Sequence, residues 1–302
     1  MYDLIVIGGG PAGLTATIYG IRKRLNVLMV TKDLGGKTNF HLALPWIEDY
    51  QVIRGLEIVN KFRTELEYLK FARHMEPVEK VEKRPDNGFT VLTKGGGELA
   101  AKAIIIASGV KQERLTVPGE KKFIMRGLCY SALSYAPLFI DRKTVVVGHG
   151  ELALRSAAEL ATVARSVTLV GPVGSVLDTP LGKKLQSLEQ VKILQDYHVV
   201  EILGDDYAEL VRVQSPAGEE LDLPAEGTFV ELGLDPQSQM VAELVNLDEQ
   251  RRIIVDCHMR TNVEGIFAAG DVTNTYAEQV LVAVGDGAKA ALSAYDYLLP
   301  RL

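Results

Sequence analysis

The sequence predicts an α/β protein with two mainly parallel sheets, because one strand, glycine turn and helix unit occurs twice in it. The first copy is Tyr2-Asp3-Leu4-Ile5-Val6-Ile7 running into Gly8-x-Gly10-x-x-Gly13, with a helical pattern over 14–24. The second is Thr144-Val145-Val146-Val147 running into Gly148-x-Gly150-x-x-Ala153, followed by a helix over 151–162 and a strand over 167–170. A third signal, Gly265-Ile266-Phe267-Ala268-Ala269-Gly270-Asp271, reads as a strand ending in a glycine–aspartate pair.

Each element has a physical reason. In the first turn Gly8 permits the tight reversal, Gly10 lets backbone approach a pyrophosphate, and Gly13 lets helix pack closely on strand. Pro11 and Ala12 open the helix, whose free N–H groups and positive end favour phosphate. Gly148 and Gly150 form a second cradle of the same kind. The carboxylate of Asp271 can accept hydrogen bonds from a sugar or ribitol hydroxyl. Gln279-Val280 then leads into a helix carrying Gly285, Gly287, Ala288 and Ala291. Its N-terminus suits negative charge on a reduced flavin ring, and its small residues also suit tight helix packing. Two such units make two Rossmann-like dinucleotide-binding domains.

Composition narrows the function classes. A chain of 302 residues with 47% hydrophobic and 24% charged residues can bury two cores. A net charge of −6 without a basic block argues against a nucleic-acid partner. No apolar run approaches the roughly 18 residues of a membrane span. The first strand starts almost at Met1, where a cleavable signal would remove part of the fold, so cytoplasm is the expected compartment. The two cysteines, Cys129 and Cys257, exclude a disulfide framework and a multi-thiolate metal site, and five scattered histidines offer no metal spacing.

With these motifs the chain resembles the low-molecular-weight thioredoxin reductases, within the two-dinucleotide-domain flavoproteins. The resemblance runs over essentially the whole length, through Gly8 to Gly13, Gly35-Gly36-Lys37, Ile47-Glu48-Asp49-Tyr50, Ile104-Ile105-Ile106-Ala107-Ser108-Gly109 and Gly270-Asp271. It implies FAD held by residues 1–116 and 243–302, with a second, NAD(P)-type domain at 117–242 inserted between them. Pro118-Gly119 and Leu232-Gly233 are the hinges it implies, and a homodimer with rotating domains is the expected assembly. The implied FAD contacts are Gly8, Gly10, Pro11, Ala12, Gly13, Thr31, Gly36, Lys37, Asp49, Ala107, Gly109, Gly270, Asp271, Gln279 and Val280.

The departures from that family carry as much weight as the resemblance. Where the family has a Cys-x-x-Cys redox centre followed by an aspartate, this chain reads Ser131-Ala132-Leu133-Ser134-Tyr135. Disulfide exchange needs a sulfur that can be attacked and can leave as thiolate, and a serine hydroxyl supplies neither. Cysteines replaced by design to trap an intermediate would also read as paired serines, but Tyr135 in place of the acid speaks against design. Cys129 and Cys257 would have to bridge the domains to replace the pair. After Val170 the family's basic cluster for the NADPH 2′-phosphate is absent, and Gly171-Pro172-Val173-Gly174 offers no acid for an NADH ribose either. Thr31 stands at the ribose-binding acid, Glu278 at a basic position, and Asp49 where asparagine is usual. Tyr130 and Tyr135 flank the serines, where an aromatic ring can stack on a flavin or simply pack.

The expected function is therefore an FAD-dependent oxidoreductase of thioredoxin reductase type without its thiol relay. Electrons enter from a nicotinamide or another small donor and leave to an external small-molecule or protein acceptor. Lys121-Lys122 and Arg126 offer a basic patch for an acidic partner. Two alternatives stay open: a second FAD or other dinucleotide in the Gly148-x-Gly150 cradle, or a flavin redox sensor without turnover. Thioredoxin reductase activity itself is not expected.

Overall fold

The computed structural model describes residues 1–47 and 55–302. They cluster into two units, the first from 1–39, 55–111 and 235–302, the second from 40–47 and 112–234. Asp49 and the Glu48-Asp49-Tyr50 part of its motif lie outside the described residues.

In the first unit the strand Tyr2–Ile7 is central. Its parallel neighbours are Val27–Val30 on one side and Glu98–Ile106 on the other, and Arg73–His74 extends the edge beyond Val27–Val30. The C-terminal half of Glu98–Ile106 also pairs in parallel with Ile266–Ala268, so the two ends of the chain share one sheet. Its N-terminal half pairs antiparallel with Phe89–Thr93, which continues to Val78–Lys83. The sequence of the central strands explains this burial. Leu4, Ile5, Val6, Ile104, Ile105 and Ile106 are at most 3% exposed apolar residues, because both faces are covered.

Helix Pro11–Arg22 follows the first glycine turn, starting three residues before the helical pattern of the sequence because Pro11 occupies the first helical position. Against it lies the long helix Val280–Leu298. A Cβ at Gly287 would collide with the backbone carbonyl of Ala12, which explains the run of small residues on that helix.

The second unit carries an all-parallel sheet in the order Val191–Gln195, Ser166–Gly171, Lys143–Gly148, Gly227–Glu231, Leu128–Cys129. An antiparallel sheet of His198–Gly204, Ala208–Gln214 and Glu220–Pro224 adjoins it in sequence. Helix Gly150–Ala161 packs on the parallel sheet through Ala153, Leu154, Ala157 and Leu160, all 0% exposed. Residues of 40–47 join this unit. Ala43 N–H donates to the Met125 carbonyl, and Trp46 Nε1–H donates to the Leu138 carbonyl at 3.1 Å. The Trp46 ring meets Phe139 edge to face at 5.8 Å, and Phe139 meets Phe229 at 5.0 Å. Pro118 and Gly119, read from the sequence as a hinge, fall inside the second unit, where a Cβ at Gly119 would collide with the Ile202 carbonyl.

Candidate functional site: two nucleotide cradles

The first cradle assembles residues from three distant parts of the chain. Gly8 has φ +116, and a Cβ there would collide with the Ala107 carbonyl, so only glycine fits this turn. A Cβ at Gly13 would run into the Gly8 carbonyl, which sets the close approach of helix to strand. Gly10 caps the helix and has nothing within 4 Å of its Cβ position, and the same is true of Gly109. The nearest atom to a Cβ on Gly36 is the Gly10 Cα at 3.1 Å, and Gly35 N–H donates to the Gly9 carbonyl at 2.7 Å. The Gly36–Asn39 turn therefore borders the opening of the glycine loop.

The C-terminal signal reaches the same place. A Cβ on Gly270 would stand 3.0 Å from the Ala12 Cβ, and Asp271 pairs with Lys37 at 2.7 Å. The described strand ends at Ala268, with Gly270 and Asp271 in the turn beyond it. Gln279 caps helix Val280–Leu298, which begins only at Val280. Thr31 is buried, and its hydroxyl donates to the Asp33 carbonyl at 2.8 Å, leaving its oxygen to accept from a ribose hydroxyl. Glu278 is exposed, yet surrounding protein pushes its carboxyl above the ordinary value. Asp271 adds to this rise, while Lys37 and Arg252 oppose it.

These residues fit FAD. The helix Pro11–Arg22 has no acid in its first turn to compete with a pyrophosphate, and open space lies beside Gly10 and Gly109.

The second cradle repeats the glycine turn on the second sheet, but its helix carries Glu151 in the first turn. A Cβ at Gly148 would collide with the Glu231 carbonyl, while Gly150 has open space around it. Register places Glu231 directly beside Gly148. The Glu231 carboxylate accepts from Ala132 N–H at 3.0 Å, which ties the serine segment to the edge of the sheet that carries the cradle. Ser131 caps the short helix Ala132–Tyr135, accepting from Ser134 N–H at 3.3 Å, and the two hydroxyl oxygens are 3.1 Å apart. The sequence pointed to Ser131, Ser134, Gly148 and Gly150 separately, and the fold brings them together through Glu231.

The aromatic and thiol groups nearby are committed to the unit's own packing. Tyr135 is 9% exposed and lies in the apolar cluster with Cys129, Phe139 and Phe229. Burial, with a smaller contribution from Cys129, pushes its hydroxyl up to about 12. Tyr130 accepts from Arg114 at 2.7 Å and donates to the buried Glu120 at 2.9 Å. Cys129 is fully buried, and burial together with Glu231 raises its thiol far above the ordinary range, so it is a poor nucleophile. Cys257 is exposed, and both cysteines are free.

Glu231 was missed in the sequence because its partner Ala132 lies 99 residues away along the chain, and Glu120 because no motif marks its bonds to Leu115, Thr116 and Tyr130. Asp196 was missed as well. It follows the strand Val191–Gln195, and its N–H donates to the Gly171 carbonyl at 3.2 Å, at the end of the strand whose Gly171-Pro172-Val173-Gly174 exit carries no acid. An aspartate directly after the third strand of the unit was the available signal. Among the described residues there is no cluster of His, Cys, Asp or Glu able to hold a metal, and no helix long and apolar enough to cross a membrane.

Two glycine cradles on two Rossmann-like sheets, the second built within the chain of the first, define a protein with two dinucleotide-type sites. Residues 2–287 match the pyridine nucleotide-disulphide oxidoreductase family, and the chain belongs to it. It is similar to the F component of the alkyl hydroperoxide reductase of Staphylococcus aureus, with 32% identity over 301 residues covering 99% of this chain and 59% of that protein. The same component in Pseudomonas aeruginosa is 33% identical over 309 residues, covering 99% and 58%. The chain thus spans under two thirds of the length of these curated relatives. The crystal structure of thioredoxin reductase from Streptococcus pyogenes superposes with a TM-score of 0.88 at 34% identity, covering 99% of both chains.

Proposed function

We propose that this chain is an FAD-dependent oxidoreductase whose first cradle would hold FAD and whose second cradle would hold a pyridine nucleotide as hydride donor, with an external acceptor and no dithiol relay inside the chain. The observation that carries this reading is the serine pair: Ser131 and Ser134 stand 3.1 Å apart, and the one cysteine near them in sequence, Cys129, is buried. FAD, when bound, supplies a two-electron carrier that can pass electrons onward singly or in pairs.

The chain's own residues supply the binding chemistry. The start of Pro11–Arg22 and the backbone at Gly10 receive the pyrophosphate, Thr31 accepts from the adenosine ribose, and Asp271 accepts from the ribitol while Lys37 balances its charge. Gly148, Gly150 and the start of Gly150–Ala161 do the same for a second pyrophosphate. Domain boundaries near 116 and 242, a homodimer and an acceptor docking on the exposed Lys121, Lys122 and Arg126 belong to the same proposal.

Anaerobic titration with NADH and with NADPH, following the flavin's blue absorption band, tests it. Stoichiometric bleaching by either nucleotide supports the donor role. No bleaching by either, with full bleaching by dithionite, refutes it.

A further inference from the structure

The fold supplies the second cradle with an acid that Gly171-Pro172-Val173-Gly174, directly at the end of its second strand, lacks. Strand Ser166–Gly171 runs into Gly171-Pro172-Val173-Gly174, and no lysine or arginine follows before Lys183. In the neighbouring parallel strand Gln195 is in register with Gly171, and Asp196 comes next. A Cβ at Gly171 would collide with the Gly148 carbonyl, so the first cradle glycine, Gly171 and Asp196 stand in a row along one edge of the sheet. That is the carboxyl edge, where ligands of such sheets bind.

The acid is held in place. Gln195 Oε1 accepts from Val173 N–H at 3.2 Å, and Gln195 Nε2 donates to Asp196 Oδ1 at 2.8 Å. One side chain therefore fixes both the loop after the second strand and the Asp196 carboxylate. Asp196 itself has φ +62, a left-handed conformation that aspartate and asparagine tolerate better than most residues, and its side chain is exposed.

We propose that Asp196, oriented by Gln195, makes the second cradle select a dinucleotide whose adenosine ribose has a free 2′-hydroxyl, and so select NADH over NADPH. The inference rests on the reading of the second unit as a pyridine-nucleotide site. An acid at the end of the second strand ordinarily receives the ribose hydroxyl in such sheets; here the acid comes from the end of the third. A carboxylate accepts a hydrogen bond from the hydroxyl and repels a phosphate dianion, and no guanidinium fork stands in the loop to offset that repulsion.

The test is calorimetric titration of the flavin-loaded protein with NAD⁺ and with NADP⁺, in wild type and in Asp196→Asn. Oxidised nucleotides keep hydride transfer out of the measurement, and asparagine preserves both the left-handed backbone and the Gln195 hydrogen bond. Wild type is expected to bind NAD⁺ at least tenfold more tightly than NADP⁺. Asp196→Asn is expected to narrow that ratio at least tenfold, mainly through tighter NADP⁺. Equal or tighter NADP⁺ binding by wild type overturns the inference, as does a ratio that Asp196→Asn leaves unchanged, and either result leaves the second unit a nucleotide site. Failure of wild type to bind either nucleotide overturns that underlying reading and the inference with it.

Discussion

Placing sulfur at Ser131 and Ser134 asks whether the segment has the geometry of a disulfide. The hydroxyl oxygens are 3.1 Å apart, bridged across the first turn of Ala132–Tyr135. A disulfide needs about 2.05 Å between sulfurs, and each longer carbon–sulfur bond contributes about 0.4 Å toward the gap of about 1 Å. A small side-chain rotation supplies the rest, so Ser131→Cys with Ser134→Cys should oxidise without moving the backbone. The closed loop is only four residues, so chain entropy gives about 2 kcal/mol of stabilisation, and the thiol count is the decisive readout. Thiols are counted under denaturing conditions before and after mild oxidation. The double variant should fall from four to two while wild type keeps its two, Cys129 and Cys257. Four thiols surviving oxidation in the double variant would refute the claim that the segment has disulfide geometry.

Three other predictions follow from the same contacts. Glu120 is 5% exposed and accepts from Leu115 N–H, Thr116 N–H and Tyr130, so Glu120→Ala should cost about 2–4 kcal/mol in urea unfolding. The exposed Lys121→Ala should stay within about 0.5 kcal/mol, and equal effects would refute the role given to Glu120. Gly13→Ala drives a methyl into the Gly8 carbonyl and should cost about 1–3 kcal/mol or more, together with FAD retention measured after gel filtration. Full flavin content in that variant would contradict the cradle. Glu278 binds its proton more tightly folded than unfolded, so its charged form opposes folding, and this penalty fades as pH drops through the raised folded value toward 4.5. Glu278→Gln should therefore melt higher than wild type at pH 7, with the gap closing at acid pH; a gap independent of pH would contradict this.

What was legible in the sequence was what sterics dictate locally. Gly8, Gly13 and Gly148 meet backbone carbonyls that no side chain could share, and that constraint is written in the glycine spacing itself. The apolar runs over 4–7, 104–106 and 145–147 announced strands covered on both faces. Contacts across the chain were not legible. The resemblance placed Lys37 and Asp271 in one site, but nothing in the sequence links Ala132 to Glu231 or Asp196 to Gly171, because strand order and register decide those meetings. Tyr135 shows the same limit: its position beside the serines left a flavin-stacking ring and a packed one equally open, and the fold sets it beside Cys129 and Phe139.

Under the proposed function the chain stores electrons on its flavin and not on an internal dithiol. Anaerobic titration of the FAD-loaded protein with dithionite measures this storage directly. The account predicts complete flavin reduction at one two-electron equivalent per FAD, rising to two equivalents in the Ser131→Cys, Ser134→Cys variant. A wild-type protein that consumes two equivalents before bleaching is complete would hold a second acceptor and contradict the account.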